Sequence, residues 1–120
     1  MEEEVRLLIA GPCHGQSLSL PAGQAVWPVQ CKAGDGSDAI TWYRPARDNP
    51  AVAVWQDAWD EITPGRHWAL RGSDHYLREI NWVDRIGEPN NFQVPGEDEV
   101  FPTLGEAQAA VERGLSEADV

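Results

Sequence analysis

Val5, Leu7 and Ile9 alternate with Arg6 along the first stretch of the chain. After Gly11-Pro12-Cys13-His14-Gly15 the alternation resumes, with Leu18 and Leu20 between Ser17 and Ser19. This period of two predicts a strand, a turn and a second strand. Ala25 to Lys32 and Ala39 to Tyr43 are β-rich runs on either side of Gly34-Asp35-Gly36-Ser37, whose Asp-Gly pair predicts a hairpin. Pro28 has no N–H to give to a ladder, so its strand is expected at an edge or a bulge. His67 to Arg71 and Tyr76 to Val83 read as a further hairpin about Gly72-Ser73-Asp74.

Asn49 to Ile62 fits two patterns. Asn49-Pro50 resembles a helix cap followed by a first helical position, and Val52, Trp55, Trp59 and Ile62 form a stripe at helical spacing. Ala51 to Trp55 equally suits a strand paired with Ile40 to Arg44. Gly87 to Pro102, with its Gly, Pro and Asn residues and Glu97-Asp98-Glu99, reads as a long loop. Thr103-Leu104-Gly105-Glu106 then reads as a capping box that starts a helix at Leu104. Leu104, Ala107, Ala110 or Val111, and Leu115 line one side of it and Gly114 is its stop. The expected fold is a single α+β domain over residues 1–115, a mainly antiparallel sheet of two or more hairpins with the C-terminal helix packed on one face. Residues 116–120 are expected to be a frayed acidic tail.

The 120 residues carry 20 Asp and Glu against 9 Lys and Arg, for a net charge of -11, and Lys32 is the only lysine. Phosphate binding needs clustered cations, so direct nucleic-acid binding is disfavoured. The apolar run Val5 to Ala10 contains Arg6 and is far shorter than a membrane span. The acidic start Met1-Glu2-Glu3-Glu4 lacks the positive charge of a secretory signal, and two cysteines do not make a disulfide framework. A reducing cytoplasm is therefore the expected compartment.

Cys13, His14, Cys31, His67 and His75 are the soft ligands of the chain, but the adjacent Cys13 and His14 would point opposite ways on extended chain. No metal or cofactor is expected, and the cysteines read as two packed thiols. Cys13 as a nucleophile has no base assigned to it by the sequence. Asp57, Asp60 and Glu61 could form an acid/base pair or a cation site, and a solvated edge beside Trp55 and Trp59 explains them equally. Six tryptophans stand out in a chain with two Phe and one Met. Four lie on predicted strands and suit a core, while exposed indoles next to Arg and acid have the composition of an interface. Trp55, Trp59, Trp82, Arg78, Asp57 and Asp60 are the candidate partner-binding residues.

Leu8-Ile9-Ala10-Gly11-Pro12 through Gly15-Gln16 and Leu18-Ser19-Leu20-Pro21, together with Phe101-Pro102-Thr103-Leu104-Gly105-Glu106-Ala107-Gln108-Ala109-Ala110-Val111-Glu112, resemble the ends of small accessory proteins from actinobacterial phages and prophages. The two stretches cover about a quarter of the chain and transfer no catalytic residue. The resemblance implies a small cytoplasmic protein acting on host proteins or on phage development. The leading functional expectation is a non-enzymatic protein-binding module, of the kind a phage encodes to modulate a host protein, with another protein or a second copy of itself as partner. Two alternatives belong to other classes: a DNA mimic presenting carboxylates to a nucleic-acid-binding protein, and a small hydrolase or ligand-binding domain. A mimic needs acid with few interleaved cations, yet eight Arg are spread along the chain, and residues 97–120 alone carry -6 of the charge.

Overall fold

The computed structural model describes residues 2–32 and 36–120. Ten strands run through them: β1 (Glu3–Ile9), β2 (Ser17–Pro21), β3 (Trp27–Lys32), β4 (Asp38–Ala46), β5 (Asn49–Trp55), β6 (Trp59–Thr63), β7 (His67–Arg71), β8 (Tyr76–Trp82), β9 (Phe92–Gln93) and β10 (Val100–Phe101). They form two five-stranded sheets, ordered β2-β1-β5-β4-β3 and β10-β9-β8-β7-β6. The helix α1 (Leu104–Arg113) and a 3-10 turn (Glu117–Asp119) close the chain. The expected α+β sheet with a helix on one face is therefore corrected. Strands make up 47% of the chain and helix 11%, and α1 touches strands of both sheets, β4 of the first and β8, β9 and β10 of the second.

The predicted hairpins are present as β1–β2, β3–β4 and β7–β8, all antiparallel. The Gly34-Asp35 part of the predicted β3–β4 turn lies outside the described residues. Asn49 to Ile62 resolves into strands β5 and β6, because β5 lies between β1 and β4, where its Val52-Ala53-Val54 run is buried on both faces. Its pairing with β1 is parallel, Leu7 opposite Val52 and Ile9 opposite Val54, so the first sheet is mixed. The expected long loop contributes the short strands β9 and β10, which extend the second sheet.

Each face of the first sheet has its own core. Leu7, Ile9, Val52 and Val54 of the first sheet meet Trp68, Leu70 and Ile80 of the second, with Ala107, Val111 and Leu115 of the helix region closing the layer. On the opposite face of the first sheet, Leu8, Leu20, Trp27, Val29, Tyr43 and Ala53 enclose a smaller core. Burial on both faces breaks the simple alternation expected for β1. Val5 is exposed, whereas Arg6 is buried, donating to the Val52 carbonyl at 3.0 Å and to Glu4 at 2.6 Å and lying 5.1 Å over the Trp27 ring. In β3 the alternation is clean, with Trp27, Val29 and Cys31 inward and Pro28, Gln30 and Lys32 outward. Pro28 sits on an edge strand, as its missing N–H requires.

The helix starts where predicted. The Thr103 hydroxyl accepts from the Glu106 N–H at 3.2 Å, which is the Thr half of the expected capping box, and Gly114 is the C-cap. Residues 116–120, expected to fray, form a turn with its own capping box between Ser116 and Asp119. Asp119 is buried and pairs with Arg78 at 2.6 Å.

One helix side chain ties the layers together. Glu112 is fully buried, and its carboxylate accepts from Arg44 Nη1 and Nη2 at 2.6 and 2.7 Å, from the Arg47 N–H at 3.0 Å and from Trp59 Nε1 at 3.0 Å. Asn49 Nδ2 donates to the carbonyls of Glu112 and Leu115 just below, at 3.0 and 2.9 Å. Burial alone would push the Glu112 carboxyl up. The hydrogen bonds from Arg44, Arg47 and Trp59 with the Arg44 charge outweigh that and hold it below its ordinary value of 4.5.

Two stability predictions result. Glu112→Gln strands Arg44 without its counter-charge and is expected to cost about 3 kcal/mol or more. Because the folded carboxyl is depressed, its contribution is present above pH 4.5 and lost as pH falls through the folded value. Urea unfolding of the variant between acid and neutral pH checks this, and a midpoint equal to wild type at neutral pH would contradict it. Thr103→Ala is expected to cost about 1 kcal/mol by the same measurement, and an unchanged midpoint would mean the helix end is not held by its cap.

Candidate functional site

Three places bring polar or aromatic side chains together. The first is the outer face of the β3–β4 hairpin. On β4 the even-numbered side chains Ile40 and Trp42 share the face that, one pair further along, puts Arg44 opposite the buried Val54. Beyond the reach of the second sheet this face runs on uncovered: Ile40 is 71% exposed and Trp42 47%. Pro28 stands opposite Trp42 and Gln30 opposite Ile40, both exposed, and the Lys32–Asp38 pair of positions bounds the strip at one end. Gln56, exposed in the turn after β5, flanks Trp42 on the other side through its N–H to the Trp42 carbonyl at 2.9 Å.

The second place is the end of the second sheet. Asp60 accepts from Arg71 Nε at 2.5 Å and from the Tyr76 hydroxyl at 3.1 Å. These bonds raise the pKa of Arg71 and of Tyr76 above their ordinary values, the hydrogen bond to Asp60 being the leading cause for each. Asp57 lies exposed in the β5–β6 turn, close enough to add to the field at Arg71. Beside them the β7–β8 turn forms an open hollow of about 500 Å3 lined by Arg71, Gly72, Ser73, Asp74, His75 and Tyr76. In it the Asp74 carboxyl is held below its ordinary value, mainly by its 2.7 Å bond to His75.

The third place is the loop between β1 and β2. Ala10 and Gly11 both have positive φ, 69° and 71°. Ala10 stays there because both of its backbone polar groups are held: its N–H donates to His14 Nδ1 at 2.7 Å and its carbonyl accepts from the Tyr43 hydroxyl at 2.5 Å. The same hydroxyl accepts from the Cys13 N–H at 3.1 Å, and burial pushes the Tyr43 phenol up to about 12. Gly11 is required twice over, since a Cβ there would meet Trp55 Cγ at 2.6 Å and Tyr43 Oη at 2.8 Å. Cys13 is joined to Cys31 in a disulfide, so the expectation of two separate thiols is corrected. The β1–β2 loop and β3 bring their Cα atoms to 5.7 Å, well within the range a disulfide spans.

The sequence candidates do not assemble into one site. Trp55 is half-buried between the two cores and donates to Thr41 Oγ1 at 2.7 Å. Trp59 is half-buried and committed to Glu112. Trp82 is half-buried under the Arg66 guanidinium at 4.3 Å. Arg78 is held by Asp119, and Asp60 by Arg71 and Tyr76. The most exposed indole is Trp42, which the sequence left among the strand residues. Its hairpin carries Ile40 and Trp42 on one face and Thr41 and Tyr43 on the other, so both faces look fit for burial and pattern alone does not choose between them. Among the described residues, no three His, Cys, Asp or Glu side chains are placed to hold a metal ion, and no helix is long and apolar enough to cross a membrane.

No family model, curated protein or solved structure matches the chain. Function therefore has to be read from these surfaces.

The His14 ring supplies a pH prediction. Its Nδ1 accepts a backbone N–H, so a proton placed there would face a donor. Burial, followed by His75 nearby, lowers its pKa below the ordinary 6.5, against smaller upward effects from Asp119 and Asp74. Between the lowered and the ordinary value the unfolded chain binds more protons than the folded one. Stability is then greatest above pH 6.5 and falls as pH drops toward the folded value. His14→Asn keeps an acceptor for the Ala10 N–H without titrating there. The urea midpoint of the variant is expected to vary less than wild type across this window, and parallel profiles would count against the His14 contribution.

Proposed function

We propose that the protein is a non-enzymatic binding module that docks another protein chain on the outer face of its β3–β4 hairpin. The observation that carries this reading is the strip of Ile40, Trp42 and Pro28, an exposed apolar continuation of a face that elsewhere is buried under a second sheet. An indole in a small apolar patch with Gln30, Gln56, Lys32 and Asp38 around it has the composition of an interface anchor with a polar rim. The partner surface moves accordingly from Trp55, Trp59 and Trp82, whose rings already serve internal contacts, to Trp42.

The competing readings draw less support. A DNA mimic needs carboxylates free to face a cationic cleft, yet Glu4, Asp60, Glu79, Glu112 and Asp119 are taken up by Arg or His within the chain. A hydrolase needs a free nucleophile and base, whereas Asp60 is held by two donors and Cys13 has no free thiol. A phage-encoded modulator of a host protein fits the docking reading and the resemblance of the chain ends. Compartment is tied to the state of Cys13 and Cys31. A reducing cytoplasm calls for the dithiol, and an oxidising compartment for the disulfide.

Trp42→Ala combined with Ile40→Ser is expected to leave the urea midpoint within about 0.5 kcal/mol of wild type. It is expected to weaken partner or self-association by about 2 kcal/mol or more. Sedimentation of the purified chain reads self-association. Side-by-side capture with wild-type and variant chains reads a partner, which must be retained by the first and lost by the second. Equal retention of every bound protein, with equal sedimentation, would sink the assignment.

A further inference from the structure

We propose that the Cys13–Cys31 disulfide is a redox latch on the seam of the first sheet, released by a dithiol reductant to free the edge strand β3. The inference stands apart from the docking role of the Trp42 strip. Strand order places β2 and β3 at opposite edges of this sheet, with no ladder between them among the described residues. The sheet nevertheless curls until its edges meet, since Leu20 of β2 shares the small core with Trp27, Val29 and Cys31 of β3. At one end of this seam Trp27 Nε1 donates to the Pro21 carbonyl at 2.8 Å. At the other end the closure is covalent, Cys13 in the loop leading into β2 being bonded to Cys31 near the end of β3. A hydrogen bond and a disulfide thus do the work that a row of backbone hydrogen bonds does elsewhere in the sheet.

The two cysteines are not equivalent. Cys13 is fully buried, and its loop is held independently by the Tyr43 hydroxyl and the His14 ring. Cys31 is 5% exposed on a strand whose only ladder partner among the described residues is β4. A reductant thiolate reaches the pair through Cys31 once the edge strand breathes. Attack on Cys31 Sγ breaks the protein S–S bond, forms a mixed disulfide and expels Cys13 as a thiolate, which takes up a proton. The second thiol of the reductant then displaces Cys31 and the reductant leaves as its own disulfide. Two electrons and two protons are delivered in all. The Ala10–Gly15 loop keeps its bonds to Tyr43 and His14, while β3 loses its tie across the seam and retains β4 alone.

Hydrogen exchange on the full chain tests this, comparing air-oxidised protein with protein in excess dithiothreitol and with Cys13→Ala/Cys31→Ala, and counting thiols by alkylation in each state. The expected result is no free thiol in the oxidised protein and two after dithiothreitol without denaturant. Amides of β2 and β3 should then exchange about tenfold faster or more, with those of β7 and β8 unchanged. The dithiothreitol comparison decides the matter even if the double variant does not fold. Unchanged exchange in β3 on reduction would make the disulfide passive and overturn the latch. Equal acceleration in β7 and β8 would make it a staple for the whole fold and overturn it too. Free thiols in the oxidised protein, or a disulfide that dithiothreitol cannot reduce without denaturant, would do the same.

Discussion

A buried carboxylate governs how the pieces of this protein sit together. Glu112 has no access to water, and a lone charge in that position would be costly enough to keep the helix from docking. Its donors come from three different parts of the chain: Arg44 on β4, Arg47 in the turn that follows and Trp59 at the start of β6. The helix therefore seats only when the β4–β5 hairpin of one sheet and the first strand of the other are already in place. Apolar contacts among Leu7, Val54, Leu70, Ile80 and Val111 supply the bulk of the burial, but they are tolerant of small slides. The bidentate Arg44–Glu112 pair is directional and fixes the one arrangement in which all three parts fit.

Local signals in the sequence were good guides to local structure. The turns about Gly11–Gly15 and Gly72–Asp74, the edge position of Pro28, the Thr103 cap and the Gly114 stop are all set by backbone chemistry within a few residues. What lay beyond reach depends on distant pairing. β5 fits a helical stripe and a strand beside Ile40 to Arg44 equally; the strand is what forms, Tyr43 opposite Trp55 and Arg44 opposite Val54, but its parallel pairing with β1 has no local signal, and Arg6 looks like the wet side of a strand until Trp27 and the Val52 carbonyl arrive to receive it. The layered architecture was missed for the same reason, since nothing between Ala51 and Thr63 announces that one strand belongs to the first sheet and the next to the second.

The candidate site was less legible than the fold. Asp60 reads in sequence as part of a carboxylate cluster with Asp57 and Glu61 beside Trp55 and Trp59, whereas its partners Arg71 and Tyr76 are supplied by the next hairpin. Trp55 and Trp59, singled out for their acidic neighbours, are engaged internally, because an indole N–H in a half-buried setting finds an acceptor first, and the Trp82 ring lies under the Arg66 guanidinium. The pairing of Cys13 with Cys31 is invisible at a separation of 18 positions and becomes evident only when the first sheet curls.

The two sheets differ in how far apart in the chain their partners lie. In β10-β9-β8-β7-β6 every strand lies beside its neighbour in sequence, so the sheet is assembled from short loops. In the other sheet the inner edge of β1 is completed by residues 45 positions away, Leu7 waiting for Val52. Closing that span carries a larger entropic cost than any hairpin in the molecule. During synthesis β1 and β2 emerge first, yet one side of β1 stays unpaired until β5 has been made. β1 thus waits for a partner 45 positions further on, and its apolar residues Leu7 and Ile9 must stay out of wrong company in the interval.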